Sequence, residues 1–415
     1  KEAKRRINCI NNGKFPFQTS DKKIVDSISK AHKEKRISAT SDVKTYEKAD
    51  IIIIDINFDI NEFDAGIKKS NFLKGIRQIA DKMKANTFIL IETTVPPGTC
   101  EKIIIPEIKK ILNQRNIKNK KFYFAHSYER VMPGENYMDS IKNYWRVYAG
   151  MDKPSSKKCK NFLEKFIDTQ QFPLTELSSI RASELSKIME NTYRAVTISL
   201  MDEWGKYSEK IGVDLYEVAD AIKKRPTHSN IRVPGLGVGG YCLTKDPMFG
   251  NISSKNIFNF NKTNFPVSSL ALKINQDMPN HAVSILLDKY KSSLKLKKIL
   301  LLGVAYIANV GDTRHSPSES LYKKLVKKVN GIDCHDPFVS YWEDLGLNML
   351  KELPDFVNYD LIVLAVAHKF YLKLNYTKLM PKNGKTALFD TNGILSKSTV
   401  NKVNKMKIPL ITIGR

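Results

Sequence analysis

One cysteine in this chain stands among residues that suit covalent chemistry. Cys242 follows two glycines and precedes Lys245 and Asp246 in the stretch GVGGYCLTKDP. Glycines let a backbone approach a ligand because they carry no Cβ, and a nearby cation favours the thiolate, which is the nucleophilic form of cysteine. The stretch therefore predicts a reactive thiol beside a ligand. Taken alone, a single cysteine is more often an inert buried hydrophobe.

Polar side chains also share one face of a predicted long helix. Lys187 and Asn191 lie four residues apart in ELSKIMENTYR, and Arg194 follows three residues later. Positions at these spacings are neighbours on a helix surface. Taken alone, such a set is most often a solvated helix face, so its meaning depends on the motifs that accompany it.

Short apolar runs alternate with amphipathic stretches over the first 150 residues. This alternation of strands and helices predicts a parallel sheet covered on both faces. Two polar motifs, TTVPPGT and SYERVMPG, come directly after the second and third runs. The runs that predict buried strands are DIIIIDI (50–56), NTFILIETT (86–94), KFYFAHS (121–127) and WRVYAG (145–150).

A helical section follows, and then a second section with strands. The long helix begins near residue 177, has apolar residues at helical spacing and is predicted to stop at Gly212. Ser316, Pro317 and Glu319 form a complete start signal for a later helix. The strands of the second sheet are predicted at KKILLLGVAY (297–306), GIDCHD (331–336), DLIVLAVA (360–367), TALFDT (386–391) and IPLITIG (408–414). The fold class is therefore α/β, with two sheets joined by a helical middle.

Composition limits the classes of function. The 415 residues carry 68 Lys+Arg against 43 Asp+Glu, a formal net charge of +25. The lysines are scattered in short pairs without a nucleic-acid motif, so the charge suits small polyanionic ligands and we expect no nucleic-acid partner. No apolar run reaches the roughly 18 residues of a membrane span, and the first residues lack the apolar core of a signal peptide.

The five cysteines indicate a compartment. They are odd in number, far apart and without metal-ligand spacing. This favours free thiols in a reducing cytoplasm over a disulfide framework or a metal site. We expect a cytoplasmic protein with no membrane partner and no metal.

Five motifs, taken together and in this order, resemble one enzyme family. TTVPPGT is similar to its STVPPGT, SYERVMPG to SPERVMPG, ELSKIMENTYR to E-x-x-K-x-x-x-N-T-Y-R, GVGGYCLTKDP to G-x-GG-x-C-x-x-KD, and GDTRHSP to D-x-R-x-SP. The family is that of the nucleotide-sugar 6-dehydrogenases, the UDP-glucose and GDP-mannose dehydrogenase superfamily. ERVMPG and NTYRAV look most like the branch that oxidises UDP-N-acetylhexosamines, the UDP-N-acetylmannosamine and UDP-N-acetylglucosamine 6-dehydrogenases.

The resemblance implies an architecture and an activity. It implies two Rossmann-like domains, an NAD-binding domain at 1–176 and a UDP-sugar-binding domain at 296–415. The central domain at 177–295 would carry the cysteine loop and form a homodimer through the long helix near residues 180–211. NAD would take two hydrides while the C6 alcohol of a UDP-sugar becomes a carboxylate, which supplies precursors of surface polysaccharides.

The resemblance also assigns roles to single residues. Cys242 would add to the intermediate aldehyde, so that the second oxidation gives a thioester. Lys187 would stabilise the oxyanion, with Asn191 beside it. Thr94 and Asp246 would hold or activate water. Glu129 would transfer protons. Residues implied at the cofactor are Thr93, Lys245 and Arg314. Residues implied at the sugar nucleotide are Arg130, Val131, Lys187, Asn191, Arg194, Gly239, Gly240 and Tyr306.

The chain departs from the family pattern in several places. The family opens with a G-x-G-x-x-G turn and an acidic residue that ends its second strand, and neither is present here. Missing upstream residues explain this better than a loss of NAD binding, because a Rossmann sheet without its first half has exposed edges. Ile307 replaces a lysine and Asn392 an arginine that help to hold the sugar nucleotide, and Tyr128 replaces a proline, which we expect to matter little.

Two alternative functions stay open. A hydroxyacid dehydrogenase of the 6-phosphogluconate type also carries lysine and asparagine on a long helix, but it lacks the third section and needs no catalytic cysteine. A catalytically silent protein that binds nucleotide sugars is favoured by the missing glycine-rich turn and by Ile307 and Asn392. It is opposed by the intact set Cys242, Lys187, Asn191 and Asp246.

Overall fold

A computed structural model describes residues 2–17, 19–61, 70–115, 120–132, 134–382 and 384–415. The chain divides into two compact units, Lys1–Asn191 with Lys245–Phe265 and Thr192–Thr244 with Pro266–Arg415. The division falls within the long helix and just after the cysteine loop. The three sequence-based domains at 1–176, 177–295 and 296–415 are a different division and stay a prediction.

A five-stranded sheet lies at the centre of the first unit. The first three strands pair in parallel, with Ile51 opposite Phe88 and Phe88 opposite Tyr123. The strands, in their order across the sheet, are β1 (Ile51–Ile54), β2 (Phe88–Ile91), β3 (Tyr123–His126), β4 (Val147–Gly150) and β5 (Thr175–Glu176). The four strands predicted in this region are confirmed, and β5 was not predicted.

Strand β4 runs against the predicted direction. It pairs antiparallel with β3, with Ala125 opposite Gly150, while β5 runs parallel to β4. An antiparallel neighbour begins at the end of the sheet where the previous strand stops. Segment 127–146 therefore joins the two strands at one end of the sheet, and this keeps the SYER segment beside the carboxyl ends of β1–β3.

Helices cover this sheet. The predicted helices after β1 and β2 are confirmed, and their apolar faces pack with strand residues in one core that includes Phe72, Ile76, Ile89, Ile108 and Phe124. The helices of the first unit are α1 (Glu2–Asn11), α2 (Lys22–Lys33), α3 (Asn71–Lys82), α4 (Ile105–Gln114), α5 (Tyr137–Lys142), α6 (Lys153–Leu163), the beginning of α7 (Ile180–Ile211) and α9 (Phe249–Ile252).

The second unit has a wholly parallel five-stranded sheet. Its strand order is β12-β11-β10-β6-β7, with apolar cores on both faces. All five predicted strands are confirmed: β6 (Ile299–Leu302), β7 (Ile332–His335), β10 (Leu361–Leu364), β11 (Ala387–Asp390) and β12 (Leu410–Thr412). A small antiparallel pair, β8 (Tyr341–Trp342) with β9 (Leu347–Asn348), was not predicted.

Two predicted helix boundaries of the second unit are confirmed, although Glu319 does not complete the predicted capping box. Gly212 has φ +69° directly after α7 and ends that helix. Ser316 caps α11 (Pro317–Leu325) by accepting from the N–H of Ser318, whereas the Glu319 side chain pairs with Lys323. Besides the rest of α7, these helices are α8 (Leu215–Lys223), α10 (Pro266–Tyr290), α11 (Pro317–Leu325), α12 (Lys369–Leu372), α13 (Tyr376–Leu379) and α14 (Lys397–Lys405).

The described part of the chain holds no helix that could span a membrane. None of the helices there combines the length and the apolar character that crossing a bilayer requires.

Candidate active site

Polar residues follow each of the three parallel strands of the first unit. Asp55 comes after β1, Thr93 and Thr94 come shortly after β2, and Glu129 lies in the segment that leaves β3. The carboxyl ends of parallel strands form the edge at which open α/β sheets bind ligands. This edge carries the residues predicted from TTVPPGT and SYERVMPG; Pro133 of the second motif lies outside the described residues.

Lys187 is fixed to this edge from α7. Its side chain is buried, and its Nζ donates to the backbone carbonyl of Glu129 at 2.9 Å and lies 3.7 Å from the Glu129 carboxylate. The Glu129 carboxylate also accepts from the N–H of Val131. A buried ammonium held by a carbonyl and a carboxylate keeps a defined position, as stabilisation of a developing oxyanion requires.

Asn191 lies one helical turn further along α7 and contacts Asp246, the residue that follows Lys245. Its Nδ2 donates to Oδ2 of Asp246 at 2.6 Å, and Lys245 Nζ donates to Oδ1 of the same carboxylate at 2.8 Å. Burial raises the pKa of Asp246, while Lys245, Asn191 and Lys187 act in the opposite direction. The predicted set Lys187, Asn191 and Asp246 is thus brought together in one unit. The ammonium of Lys245 is directed at Asp246 and lies 4.4 Å from the Phe249 ring.

Three carboxyl groups at this edge influence one another. Burial raises the pKa of Asp55, and the charge of Glu129 adds to the effect. Burial also raises the pKa of Glu92, against the influence of Arg146, which pairs with Glu92 and donates to the Ser127 carbonyl. Asp55, Glu92 and Arg146 were not singled out from the sequence, although each lies beside the end of a predicted strand.

The same edge has polar atoms that suit a polar ligand. Within the described residues, Nε2 of His126 and Oγ of Ser127 are buried without a hydrogen-bond partner. Burial lowers the pKa of His126 to about 3, so its ring is neutral. Thr93 is buried and donates to the Ile56 carbonyl at 2.9 Å, while Thr94 is half-buried. Amide or hydroxyl groups of a polar ligand would complement these atoms.

The prolines of TTVPPGT lead into a turn that α7 holds in place. The carboxylate of Glu184 accepts from the N–H of Gly98 at 2.5 Å and of Cys100 at 2.8 Å. Gly98 has φ +91°, a conformation that favours glycine. Burial raises the pKa of Glu184 to about 7. The first residue of the E-x-x-K motif therefore connects the long helix to the motif after β2.

The cysteine loop belongs to the second unit. Cys242 is exposed, and the turn around it is closed by Thr244, whose hydroxyl donates to the Gly240 carbonyl at 2.7 Å. Gly240 has φ +84°, and a Cβ at Gly239 or Gly240 would come within 2.9 Å of Tyr306. The two predicted glycines thus allow the loop to pack against Tyr306, and any contact with a sugar stays a prediction.

Arg314 lies close enough to Cys242 for their charges to interact. Its pKa is raised by hydrogen bonding to Asp312 and further by the charge of Cys242. Its carbonyl accepts from the N–H of Gly240 at 3.1 Å. Burial raises the pKa of Tyr306, and the charges of Arg314 and Arg194 oppose this. The guanidinium is paired with Asp312 at 2.6 Å, and the cofactor role that the resemblance implies for Arg314 stays a prediction.

A cavity of about 180 Å³ opens at the carboxyl ends of β6, β10 and β11. Tyr306, Ile307, Pro317 and Val366 line it, and the described residues around it include no charged side chain. Asn392 is turned to the backbone: its Oδ1 accepts from the N–H of Leu236 at 2.9 Å and its Nδ2 donates to the Ala365 carbonyl. The two residues that replace basic family residues therefore both lie at this cavity.

Tyr128 makes several buried contacts that the sequence did not predict. Its side chain is fully buried, and its hydroxyl lies 2.9 Å from Ser186 Oγ and 3.0 Å from Glu190 Oε1. Arg130 pairs with the same Glu190 and donates to the Tyr128 hydroxyl at 3.1 Å. These contacts make Tyr128 part of the buried structure, while the expectation that the replaced proline matters little for function stays a prediction. The sequence signal for these contacts is a bulky residue at the position where the family motif has a proline.

No group of three or more His, Cys, Asp or Glu side chains that could hold a metal occurs in the described part of the chain. All five cysteines are free thiols.

Three profiles of one family match the chain. They are the NAD binding domain, the central domain and the UDP binding domain of the UDP-glucose/GDP-mannose dehydrogenase family, at residues 2–167, 181–277 and 300–397. Together they span most of the chain, in the order that the five motifs predict.

Individual relatives agree with these profiles. The UDP-N-acetyl-D-mannosamine dehydrogenase of Methanocaldococcus jannaschii is 33% identical over 366 residues, which cover 86% of this chain and 78% of the relative. That of Methanococcus vannielii is 30% identical over 99% of this chain and 90% of its own length. The solved UDP-D-ManNAc dehydrogenase from Pyrococcus horikoshii has a TM-score of 0.82 at 24% identity, covering 99% of this chain and 91% of that one, and at this identity supports the fold alone.

Proposed function

The chain belongs to the UDP-glucose/GDP-mannose dehydrogenase family and is an NAD-dependent dehydrogenase, and we propose that it oxidises the C6 alcohol of a UDP-N-acetylhexosamine to a carboxylate. The proposal on the substrate is supported by several UDP-N-acetyl-D-mannosamine dehydrogenases among its relatives. The product would serve the synthesis of surface polysaccharides, as the resemblance of the five motifs to nucleotide-sugar 6-dehydrogenases implies. The observation that carries the proposal is the buried contact of Asn191 and Lys245 with Asp246 beside Lys187.

Cys242 is the nucleophile in this proposal. Oxidation of the alcohol gives an aldehyde, and the thiolate adds to its carbon to form a thiohemiacetal. Loss of a second hydride gives a thioester, which water hydrolyses to the carboxylate while the thiol is released. Exposure of Cys242 and the nearby charge of Arg314 support this role, because a cation favours the thiolate.

Lys187 stabilises the oxyanion that forms when the thiolate or water adds. Its ammonium is buried and already held by Glu129, so little reorganisation is needed when negative charge develops. Asn191 keeps Asp246 in place, and Asp246 with Thr94 holds or activates the hydrolytic water. Glu129 transfers protons, which suits its half-buried carboxylate near Lys187.

NAD, when bound, accepts the hydride in each of the two oxidations. Thr93 and Lys245 would hold it, together with Arg314. The free polar atoms of His126 and Ser127 suit the carboxamide end of this cofactor. The G-x-G-x-x-G turn that binds the diphosphate in other Rossmann domains is not part of this sequence.

The sugar nucleotide contacts residues of several segments. Arg130 and Val131 would bind it, with Lys187 and Asn191. Arg194, Gly239, Gly240 and Tyr306 complete the set. The uncharged cavity beside Tyr306 would take the nucleotide end, since a UDP binding domain matches residues 300–397.

A homodimer through α7 belongs to the same proposal. Leu185, Met189, Leu200, Trp204 and Ile211 are each about half exposed along this helix. A contiguous apolar stripe on a surface marks an association site. Light scattering should give a dimer at micromolar concentration, and Leu200→Glu should shift it to monomer; a wild-type monomer would contradict the dimer.

The free thiols fit a cytoplasmic location.

The test is the stoichiometry of the reaction. The purified protein should form two NADH per UDP-N-acetylhexosamine consumed, with UDP-glucose and GDP-mannose as comparison substrates. One NADH per sugar would contradict the two-step oxidation. Tight binding of the UDP-sugar without any NADH would favour the silent binding protein instead.

A further inference from the structure

Tyr128 joins the segment after β3 to the long helix α7. Tyr128 lies two residues after the end of β3, at the edge of the sheet that carries the polar residues of the first unit. Its side chain is nevertheless fully buried. A buried tyrosine needs a partner for its hydroxyl. Tyr128 has two on successive turns of α7, Ser186 at 2.9 Å and Glu190 at 3.0 Å.

The hydroxyl of Tyr128 also fixes Arg130. The guanidinium donates to this hydroxyl at 3.1 Å and pairs with Glu190. A second donation, to the Trp145 carbonyl at 2.5 Å, leaves the Arg130 side chain little freedom. Tyr128, Arg130 and Glu190 therefore form a closed triangle of hydrogen bonds. Removal of the Tyr128 hydroxyl breaks two of these hydrogen bonds, the one to Glu190 and the one from Arg130.

The ring of Tyr128 faces two cations, and the guanidinium carbon of Arg130 lies 5.4 Å from its centroid. Lys187 Nζ lies 5.3 Å from its centroid, within the range of a cation–π interaction. The other contacts of this ammonium come from Glu129, the residue that follows Tyr128 in the chain. The ring thus forms one wall of the position that Lys187 occupies.

We propose that Tyr128 is a positioning residue of the dehydrogenase, whose ring places Lys187 for catalysis and whose hydroxyl places Arg130 for binding of the sugar nucleotide. The inference rests on the proposed function for the roles of Lys187 and Arg130. The proline at this position in the family motif could make neither contact, because it has no hydroxyl and no π-face. This chain thus positions Lys187 and Arg130 by contacts that the proline of the motif does not supply.

Two substitutions separate the contribution of the Tyr128 hydroxyl from that of its ring. Tyr128→Phe removes the hydroxyl and keeps the ring, so KM for the UDP-sugar should rise about tenfold while kcat stays within about twofold. Tyr128→Leu removes both, so kcat should also fall, by about tenfold. The matched control is Tyr148→Phe, which removes another tyrosine–carboxylate bond, to Glu176 at 3.0 Å, in the same unit. It should change neither constant.

A second measurement does not depend on turnover. The rate at which an amine-selective reagent modifies Lys187, read by mass spectrometry, should be the same in wild type and Tyr128→Phe and several times higher in Tyr128→Leu. Equal rates in all three proteins, or equal changes of KM and kcat in both variants, would overturn the proposal. If the wild type forms no NADH, the proposed function fails, while the modification rates still decide whether Tyr128 positions Lys187.

Discussion

The pair Lys245–Asp246 makes a direct prediction about stability. Both side chains are buried, 8% and 0% exposed, and the ammonium donates to the carboxylate at 2.8 Å. Lys245→Met preserves much of the volume of the side chain and removes its charge. It leaves the Asp246 carboxylate buried, with the hydrogen bond from Asn191 still in place.

The magnitude follows from the cost of an uncompensated buried charge. Removal of one partner of a buried ion pair destabilises a protein by about 3–5 kcal/mol. For a unit of this size that lowers Tm by about 6–20 °C. Asp246 can escape part of the cost by taking up a proton, because burial already raises its pKa and the loss of Lys245 raises it further.

The sign of the pH dependence follows from that raised pKa. A carboxyl whose pKa is higher in the folded than in the unfolded state loses stability as pH rises from the unfolded to the folded value. The difference in Tm between wild type and Lys245→Met should therefore be small at acidic pH, where Asp246 is protonated, and should grow as the pH rises.

Differential scanning calorimetry without ligand measures this difference, and it resolves units that unfold separately. The double variant Lys245→Met/Asp246→Asn should recover most of the lost stability, because it leaves no charge of this pair buried without its partner. Lys206→Met, which breaks a partly exposed pair with Asp277, should cost at most about 1 kcal/mol. A loss for Lys245→Met that is equally small and independent of pH would refute the reasoning.

Two further predictions concern other single positions. Burial raises the pKa of Glu184 from 4.5 to about 7, so wild type should lose roughly 3 kcal/mol between about pH 5 and 8 as this carboxylate forms. Glu184→Gln should remove that loss, and parallel Tm–pH curves for the two proteins would contradict it. Ile307→Lys should strengthen UDP binding about tenfold at low salt by adding a cation to the uncharged cavity. Calorimetry should show no gain for Ile307→Met, and equal affinities of all three proteins would contradict the prediction.

Much of the fold could be predicted from apolar periodicity. Buried strands such as Ile299–Leu302 and Leu361–Leu364 are continuous apolar runs between polar turns, and this pattern is local. The reversed direction of β4 could not be predicted, because a strand's apolar pattern is the same in both directions. β5 has two residues, too few for a pattern.

Part of the candidate site was predictable for the same reason. Lys187 and Asn191 are related by helical spacing. In the structure Lys187 contacts Glu129, and Asn191 contacts Asp246. The contact of Lys245 with Asp246 was not foreseen, since two adjacent residues give no sign of which atoms they approach. The burial of Tyr128 depends on Ser186 and Glu190, which are distant in sequence.

The central claim is that Cys242 forms a covalent intermediate during oxidation of a UDP-sugar. The most direct measurement is rapid denaturation during turnover of a UDP-N-acetylhexosamine with NAD, followed by mass spectrometry of the peptide that contains Cys242. The account predicts an acyl adduct on Cys242 in wild type. It also predicts that Cys242→Ser binds the sugar nucleotide but forms no carboxylate product. Near wild-type carboxylate formation by Cys242→Ser, without an adduct on the wild-type peptide, would contradict the account.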